Sequence, residues 1–581
     1  DGGFLTLPGL SKIYKLRVTQ LNAIWRVIQS KCTMLAHAVG AGKTLIVICS
    51  LMESRRLGII NKPIVVVPKI TLGQWRREWN KLYPAANILV ADERNFAPKR
   101  RQRFFAKIAT GNYDAIVISH SAFKKLGVSP KLEKEYTEEK LDEFRAYLEQ
   151  VKDEGGSRFT IKQIEGKIKK LEEKLKAKLD QTSKDQNIFF DELGIDTIAV
   201  DEADLYKNVE YSTQIEKVKG MGTQVGNDIT TDMMIKSQYI RKKSGKMIFA
   251  TATPVSNSMV EVYSMMKYLQ PDLLEEKGLM AFDSWASTFG NILTKPEMLF
   301  SGKWGNVSRF TRFINVQQLL TMLKQVWDIQ TVDMLKEAGI LVPGVNIPLI
   351  RGGKATQVYI DATPELKAYM KELGTRADAI KGKKPEAGAD NPLTILGDGI
   401  RASTDMRIKI PSLPDNFTSK VSVCVENAYD IWLTHKDVKA TQIIFIDLSK
   451  PDKEAMFNAQ WYIKRKLMAK GIPEKEIAFI HDYDTMDKKD DLSEKVNNGD
   501  IRILFGSTQT LGTGTNVQER LICTHLIDTR FRPRDMIQKE GRILRPGNLY
   551  FNQSGVYIYR YIAKGGFDTF MYQMLESKAK D

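Results

Sequence analysis

Short runs of apolar, largely β-branched residues recur along the chain, each followed by a polar or glycine-containing turn. A first series comprises Thr33–Ala36, Ile64–Val67, Ala115–Ile118, Ile195–Val200 and Met247–Ala250. After a gap, a second comprises Ile443–Ile446, Ile477–Ile480, Ile501–Phe505, Leu526–Ile527 and Val556–Tyr559. Apolar runs without polar alternation predict strands buried on both faces, which is the pattern of parallel sheets. Between them, stretches such as Gln74–Leu82 and Met259–Leu269 carry apolar residues at helical spacing. Strands alternating with helices in two separate series predict an α/β chain with two lobes.

Residues 131–182 break the alternation. Leu141, Phe144, Leu148 and Val151 keep a three-four spacing up to Gly155-Gly156-Ser157; Ile161, Ile164, Ile168, Leu171 and Leu175 then resume it among alternating Lys and Glu. This predicts an antiparallel helical hairpin inserted in the first lobe over about residues 126–190, a structural arm and not a catalytic element. Residues 291–415 are less patterned and read as a connecting, mainly helical region. Within it Lys381–Pro392, rich in Lys, Gly, Pro and Ala, reads as a mobile loop. The expected division is therefore a first lobe over 1–290, the connection over 291–415 and a second lobe over 416–581.

Composition narrows the class. A chain of 581 residues exceeds a single core, and 43% hydrophobic with 27% charged residues describes a globular protein. Lys and Arg number 87 against 70 Asp and Glu, a net charge of +17 that favours a polyanionic partner, nucleic acid first. Charge alone fits a merely basic protein nearly as well. Cys32, Cys49, Cys424 and Cys523 lie far apart with neither zinc-ligand nor redox spacing, so reduced core thiols in the cytoplasm are expected. No signal peptide and no run long enough to span a bilayer is found, so no membrane partner is expected. The opening Asp1-Gly2-Gly3, without Met, suggests a fragment or a processed product of something longer.

Three segments carry chemistry. The strand Thr33–Ala36 runs into His37-Ala38-Val39-Gly40-Ala41-Gly42-Lys43-Thr44 and then an apolar helix. A glycine turn between strand and helix is a phosphate cradle, because backbone N–H groups and the helix N-terminus point at the anion. Lys43 would neutralise the outer phosphates and Thr44 would hold a magnesium ion. His37 stands where the usual pattern begins with glycine. Ile195–Val200 ends in Asp201-Glu202-Ala203-Asp204. A carboxylate pair at a buried strand end suits one partner for the metal, Asp201, and one for the attacking water, Glu202. Alone, such a pair equally describes a solvated turn. Near the end, Gln538-Lys539-Glu540-Gly541-Arg542-Ile543-Leu544-Arg545 puts Arg542 and Arg545 three apart, on one face of a helix. They are arginine fingers if that face lines a cleft, and an ordinary basic helix otherwise.

These segments, in this order, resemble superfamily 2 helicases, and those between them narrow the resemblance to the Swi/Snf-type translocases. Arg17-Val18-Thr19-Gln20 is similar to the adenine-reading glutamine motif, and that group also lacks the first glycine of its phosphate loop. Val67-Pro68-Lys69 with Gln74-Trp75-Arg76-Arg77-Glu78-Trp79 resembles its strand-and-tryptophan motif for one DNA strand. Thr251-Ala252-Thr253-Pro254 through Asn257-Ser258, with Glu261 and Tyr268-Leu269, resembles its segment coupling ATP to DNA. Gly506-Ser507-Thr508-Gln509 through Gly512-Thr513-Gly514-Thr515-Asn516 resembles its fifth motif, and Gln538 to Arg545 its sixth.

The resemblance implies two RecA-like parallel-sheet lobes, ATP and Mg²⁺ as cofactors, and double-stranded DNA as partner. It implies nucleotide contacts from Gln20, Gly40, Ala41, Gly42, Lys43, Thr44, Gly512 and Gln538. It places Lys69, Gln74, Ser119, His120, Ser507, Thr508 and Asn516 on nucleic acid. The tetrapeptide Asp201-Glu202-Ala203-Asp204 also fits RNA helicases, but the third motif is not Ser-Ala-Thr and the sixth opens with Gln538 where they carry His-Arg. A strand-separating RNA or DNA helicase is the alternative. A catalytically idle DNA-binding scaffold is the alternative of another class, opposed by the presence of Lys43, Asp201, Glu202, Arg542 and Arg545 together.

More narrowly, the run from Asn87-Ile88-Leu89-Val90 to His120-Ser121, the hairpin and Gly565-Gly566-Phe567-Asp568-Thr569-Phe570 are similar to the large helicase proteins of phages, plasmids and conjugative elements. Those are often fused to an adenine methyltransferase, and some are linked to antirestriction or DNA modification. No methyltransferase signature occurs here, so any such partner domain lies outside this chain. The compartment implied is the cytoplasm of a bacterium or a phage-infected host.

Overall fold

A computed structural model describes residues 2–572 apart from 92–94, 96–97, 154, 156, 181–187, 216–217, 222–225, 256–257, 299–303, 381–389, 416–417, 449, 512–515, 529–532, 553–554 and 570. The chain divides into two compact units. The first is Asp1–Thr294 with Val307–Val332, and the second is Lys295–Asn306 with Asp333–Asp581.

The first unit is built on a seven-stranded sheet. Its strands are β1 (Cys32–His37), β2 (Pro63–Val67), β3 (Ile88–Val90), β4 (Ala115–Ser119), β5 (Thr197–Asp201), β6 (Lys246–Thr251) and, beyond a separate two-stranded sheet of β7 (Gly290–Met298) and β8 (Trp304–Phe313), β9 (Trp327–Gln330). The order is β3-β4-β2-β5-β6-β1-β9 and every neighbouring pair is parallel. Ile64 and Val66 lie in the main core while Val65 and Val67, equally buried, take the opposite face by the alternation of a strand. Burial on both faces is why these strands read as unbroken apolar runs. Parallel pairing has a second consequence: all carboxyl ends lie on one edge, so the segments following β1, β2, β4, β5 and β6 converge there.

Helices α1 (Val18–Gln29), α2 (Lys43–Arg56), α3 (Leu72–Leu82), α4 (Pro98–Thr110), α5 (His120–Lys124), α6 (Pro130–Asp153), α7 (Arg158–Asp180), α8 (Asp228–Lys242) and α9 (Val260–Leu269) complete this unit's main elements. The predicted hairpin is α6 and α7. Lys152 pairs with Glu165 at 3.5 Å and Arg145 with Glu172 at 2.8 Å, a register only antiparallel helices allow. Leu141, Phe144, Val151 and Ile164 are buried along it, and Lys242 of α8 reaches Glu139 of α6 at 2.5 Å.

The second unit carries a six-stranded sheet of order β10-β15-β14-β11-β13-β12, again wholly parallel. Its strands are β10 (Thr356–Asp361), β11 (Thr441–Phe445), β12 (Ile477–Phe479), β13 (Ile503–Gly506), β14 (Leu521–Leu526) and β15 (Tyr557–Lys564). Ile443 and Phe445 belong to one core, Ile444 and Ile446 to the other, so this sheet too is covered on both faces. The fold is thus α/β with two parallel sheets and an inserted hairpin, as expected.

The division at 290 and 416 is corrected. The region 291–415 is not merely a mainly helical connection, because β9 adds an edge to the first sheet and β10 an edge to the second. Four-residue β9 is too short for its period to show, and β10 has an exposed, alternating pattern instead of an apolar run. The expected strand at Leu526–Ile527 is the end of the longer β14. Of the expected loop at Lys381–Pro392, residues 381–389 lie outside the described residues, and Pro392 opens a helix capped by Asn391.

Candidate nucleotide site

The phosphate loop leaves β1 at His37 and enters α2 at Lys43. Gly40 and Gly42 both sit in the left-handed region, at φ +91° and +93°, where side chains are strained. At Gly42 a Cβ would also stand 2.4 Å from Gln20 Nε2, so a side chain there is strained and must displace the Gln20 amide. Lys43 Nζ donates to His37 O at 2.8 Å and Ala38 O at 3.4 Å, which folds the cation over its own loop. Thr44 follows in the first turn, half-buried.

Gln20 is buried on α1. Its Nε2 donates to Ala41 O at 3.1 Å and its Oε1 accepts from Arg17 N at 3.0 Å. The glutamine expected to read adenine thus anchors the loop here. His37 is fully buried, and its Nε2 lies 2.5 Å from Asp328 Oδ1 of β9.

Asp201 ends β5. Its Oδ2 accepts from Trp75 Nε1 at 3.2 Å and its Oδ1 from Glu202 N at 3.1 Å. Burial, followed by the charge of Glu202, pushes its pKa up to about 6, while Lys43 pulls it down. Lys43 and Asp201, 158 positions apart in the sequence, therefore share one electrostatic site. Glu202 itself adopts φ +52°, ψ +50°. A non-glycine residue held there costs on the order of 1 kcal/mol, and such strain gathers at functional sites.

Thr251 Oγ1, at the end of β6, donates to Asp204 Oδ1 at 3.3 Å and accepts from Thr253 N at 3.1 Å. This joins the Thr251–Pro254 segment to the acidic one. Ser256 and Asn257 lie outside the described residues.

Two expected phosphate ligands in this unit are enclosed by their own unit. His120 is buried, its Nδ1 lies 2.9 Å from Tyr206 Oη, and burial lowers its pKa to about 4. A neutral, enclosed imidazole neutralises no phosphate. Ser119 is buried as the cap of α5, its Oγ accepting from Ala122 N at 3.2 Å. Lys69 remains exposed directly after β2, and Gln74 is half-buried on α3. Trp75 and Trp79, in the motif expected to face a DNA strand, are core residues.

In the second unit the arginine helix spans Pro533–Ile543. Lys539 of this helix is buried between Asp447, at 2.8 Å, and Asp528, at 3.4 Å. Burial opposes its charge, but Asp528 and Asp447 together outweigh it and raise the pKa. Asp447 also accepts from Thr508 N and Oγ1, both at 2.6 Å. Thr508, expected on nucleic acid, is thus enclosed in this network, while Ser507 pairs with Thr510 Oγ1 at 3.0 Å. Asn516 is exposed, and Gly512 lies outside the described residues.

Gln538 and Arg542 are buried, Arg542 completely. Burial, and then neighbouring Arg545, works strongly against the Arg542 charge. Arg545 does not share the helical face expected of it. It lies past the last helical residue, with Nε donating back to Gly541 O at 3.1 Å.

Sequence reasoning missed Asp328, Asp447 and Asp528, and it did not foresee that the Trp75 indole bonds Asp201. The acidic residues follow or sit within strands, as Asp201 does, but nothing local marks their partners.

A parallel sheet with a glycine loop and an acidic strand end on one edge is a frame suited to binding a nucleotide. A family described as "Probable helicase domain" matches residues 25–331, more than half of the chain, and the chain belongs to that family. Among curated proteins it is similar to "Defense against restriction protein B" of Escherichia phage P1, 22% identical over 256 residues, covering 42% of this chain and 11% of that protein. It is also similar to "ATP-dependent helicase fft1" of Schizosaccharomyces pombe, 37% identical over 73 residues, 12% of this chain and 8% of that one. The chain thus spans about a tenth of the length of these relatives. Among solved structures, "Sulfolobus solfataricus SWI2/SNF2 ATPase core in complex with dsDNA" aligns with 98% of this chain and 92% of its own at 16% identity, with a TM-score of 0.35. No helix among the described residues is long and apolar enough to cross a membrane.

Proposed function

We propose that this chain is an ATP-dependent translocase on double-stranded DNA. The observation that carries the reading is the shared electrostatics of Lys43 and Asp201 on one sheet edge, next to a glycine loop whose backbone strains any side chain. Gly40, Ala41, Gly42 and Thr44 would cradle the phosphates, with Lys43 leaving the His37 carbonyl for the outer ones. Glu202 would orient and deprotonate the attacking water. Within the second unit, Gln538, Arg542 and Arg545 would be the groups that act on a nucleotide.

The donor set suits a magnesium ion. Two adjacent carboxylates, one with a pKa raised to about 6 by burial and by the other, are relieved by a divalent cation. Among the described residues no group of three or more His, Cys, Asp or Glu could hold a metal, so the ion would take most of its shell from phosphates and water beside Thr44 and Asp201. Bound there, it would supply charge neutralisation of the transferring phosphoryl group.

Lys69 and Gln74 in the first unit, and Ser507 and Asn516 in the second, would meet the DNA backbone. Phosphate contacts position without reading sequence. The similarity to a phage protein named for defence against restriction supports a phage or mobile-element setting. A methyltransferase or other domain would act beside this chain.

The test is ATP turnover with duplex DNA, single-stranded DNA and RNA as stimulators. Duplex DNA should stimulate most. Lys43→Ala and Glu202→Gln should each abolish hydrolysis, with Glu202→Gln retaining ATP binding. Unchanged turnover in either variant ends the assignment, and preferential stimulation by RNA transfers it to an RNA helicase.

A further inference from the structure

We propose that Asp328 is a positioning residue for ATP binding, acting through His37 on the phosphate loop; this rests on the ATP reading of that loop. The starting point is β9, which lies along β1 with Leu35 opposite Asp328 and His37 opposite Gln330. It is also the last strand of the first unit, which ends at Val332.

Three contacts tie β9 to the nucleotide segments. Asp328 Oδ1 stands 2.5 Å from His37 Nε2, Gln330 O accepts from Ala38 N at 2.8 Å, and Gln330 Nε2 donates to Thr19 O at 3.3 Å. Thr19 adjoins Gln20, whose amide holds Ala41 O on the far side of the loop. The loop is therefore pinned at both ends, at His37 and Ala38 by β9 and at Ala41 by α1. Only the residues around Gly40 remain to adapt.

His37 makes Asp328 necessary. A glycine at this position has no ring to orient, whereas a fully buried imidazole does. Nδ1 makes no hydrogen bond among the described residues, so the Asp328 carboxylate is the polar anchor of the ring. The His37 carbonyl, on the same residue, is where Lys43 Nζ rests. A ring turned away from Asp328 in this packed site shifts that peptide, and with it both the Lys43 rest position and the direction of the following N–H groups. A preorganised cradle binds its anion without first being ordered, so loss of the anchor falls on nucleotide affinity more than on the chemical step.

The experiment uses the full chain with saturating duplex DNA, measuring KM and kcat for ATP, equilibrium binding of a fluorescent ATP analogue, and melting temperature. Asp328→Ala removes the acceptor and should raise KM and Kd roughly tenfold, with kcat changed by less than about twofold. Asp328→Asn keeps an acceptor oxygen for Nε2 and should stay close to the unmodified protein. His37→Ala should give the same split as Asp328→Ala, and the double variant should be no worse than either single one. An unchanged KM in Asp328→Ala, additive losses in the double variant, or Asp328→Asn as impaired as Asp328→Ala overturns the proposal. Should Asp328→Ala fail to fold, His37→Ala with Asp328→Asn decides by the same criteria. If the unmodified chain neither binds nor turns over ATP, the nucleotide reading fails; normal turnover with unmoved variants overturns the Asp328 inference alone.

Discussion

Replacing Asp201 by asparagine should stabilise the fold while ending turnover. The Asp201 carboxyl has an ordinary pKa of 3.8, raised in the folded chain to about 6 by burial and by Glu202. Between those values the folded chain holds a proton that the unfolded chain has released. Stability therefore falls as pH rises through this window, and the whole penalty is present above about pH 6. A shift of about two units corresponds to about 3 kcal/mol. Asparagine carries no charge but offers one acceptor oxygen to two donors, Trp75 Nε1 and Glu202 N, and loses about 1 kcal/mol there. The net gain is about 2 kcal/mol near pH 7.5, or roughly 4 °C in melting temperature for a unit of this size. Thermal melts of both proteins without divalent cation, at about pH 7.5 and about pH 5, measure it. The advantage should shrink at the lower pH, where Asp201 protonates by itself, and magnesium with ATP should narrow it by favouring the ionised aspartate. An asparagine variant no more stable near neutrality, or equally advantaged at both pH values, refutes the reasoning.

Three further outcomes are expected. Gly42→Ala meets both a left-handed φ and the Gln20 amide, and should cost about 1–2 kcal/mol in thermal melts, with Gln20→Ala relieving the steric part. His120→Ala should leave the salt dependence of duplex binding unchanged, because its imidazole is buried and neutral, whereas Lys69→Ala should reduce the logarithmic salt slope by about one unit in filter-binding titrations. Lys539→Met leaves Asp447 and Asp528 buried without their cation and should cost about 3–5 kcal/mol in chemical denaturation, partly recovered by adding Asp528→Asn.

The candidate site was legible to different depths. Gly40 to Thr44 and Asp201-Glu202 are contiguous motifs that follow apolar strands, and parallel strands carry such segments to one edge whatever lies between them. His120, Ser119 and Thr508 are enclosed for one shared reason. Their residue types suit phosphate contact, but burial against Tyr206, the α5 backbone and Asp447 satisfies them inside the protein. Arg545 was placed on a helical face by its spacing, yet the helix ends two residues earlier.

Hydrophobic periodicity was enough to specify two doubly covered parallel sheets and the α6–α7 hairpin, and contiguous motifs placed Lys43 and Glu202 just after two of the strands. Those features depend on neighbours within a few residues, where side-chain direction follows from strand or helix geometry. Which carboxylate would face His37, which indole would bond Asp201, and which acids would enclose Lys539 depended on chain segments tens to hundreds of positions away. Asp328 is 291 residues from His37 and its own strand is four residues long. No local pattern encodes that pairing. It exists because the edge of the first sheet beside β1 accepted a further strand, and the packing that put β9 there decided what holds the phosphate loop in place.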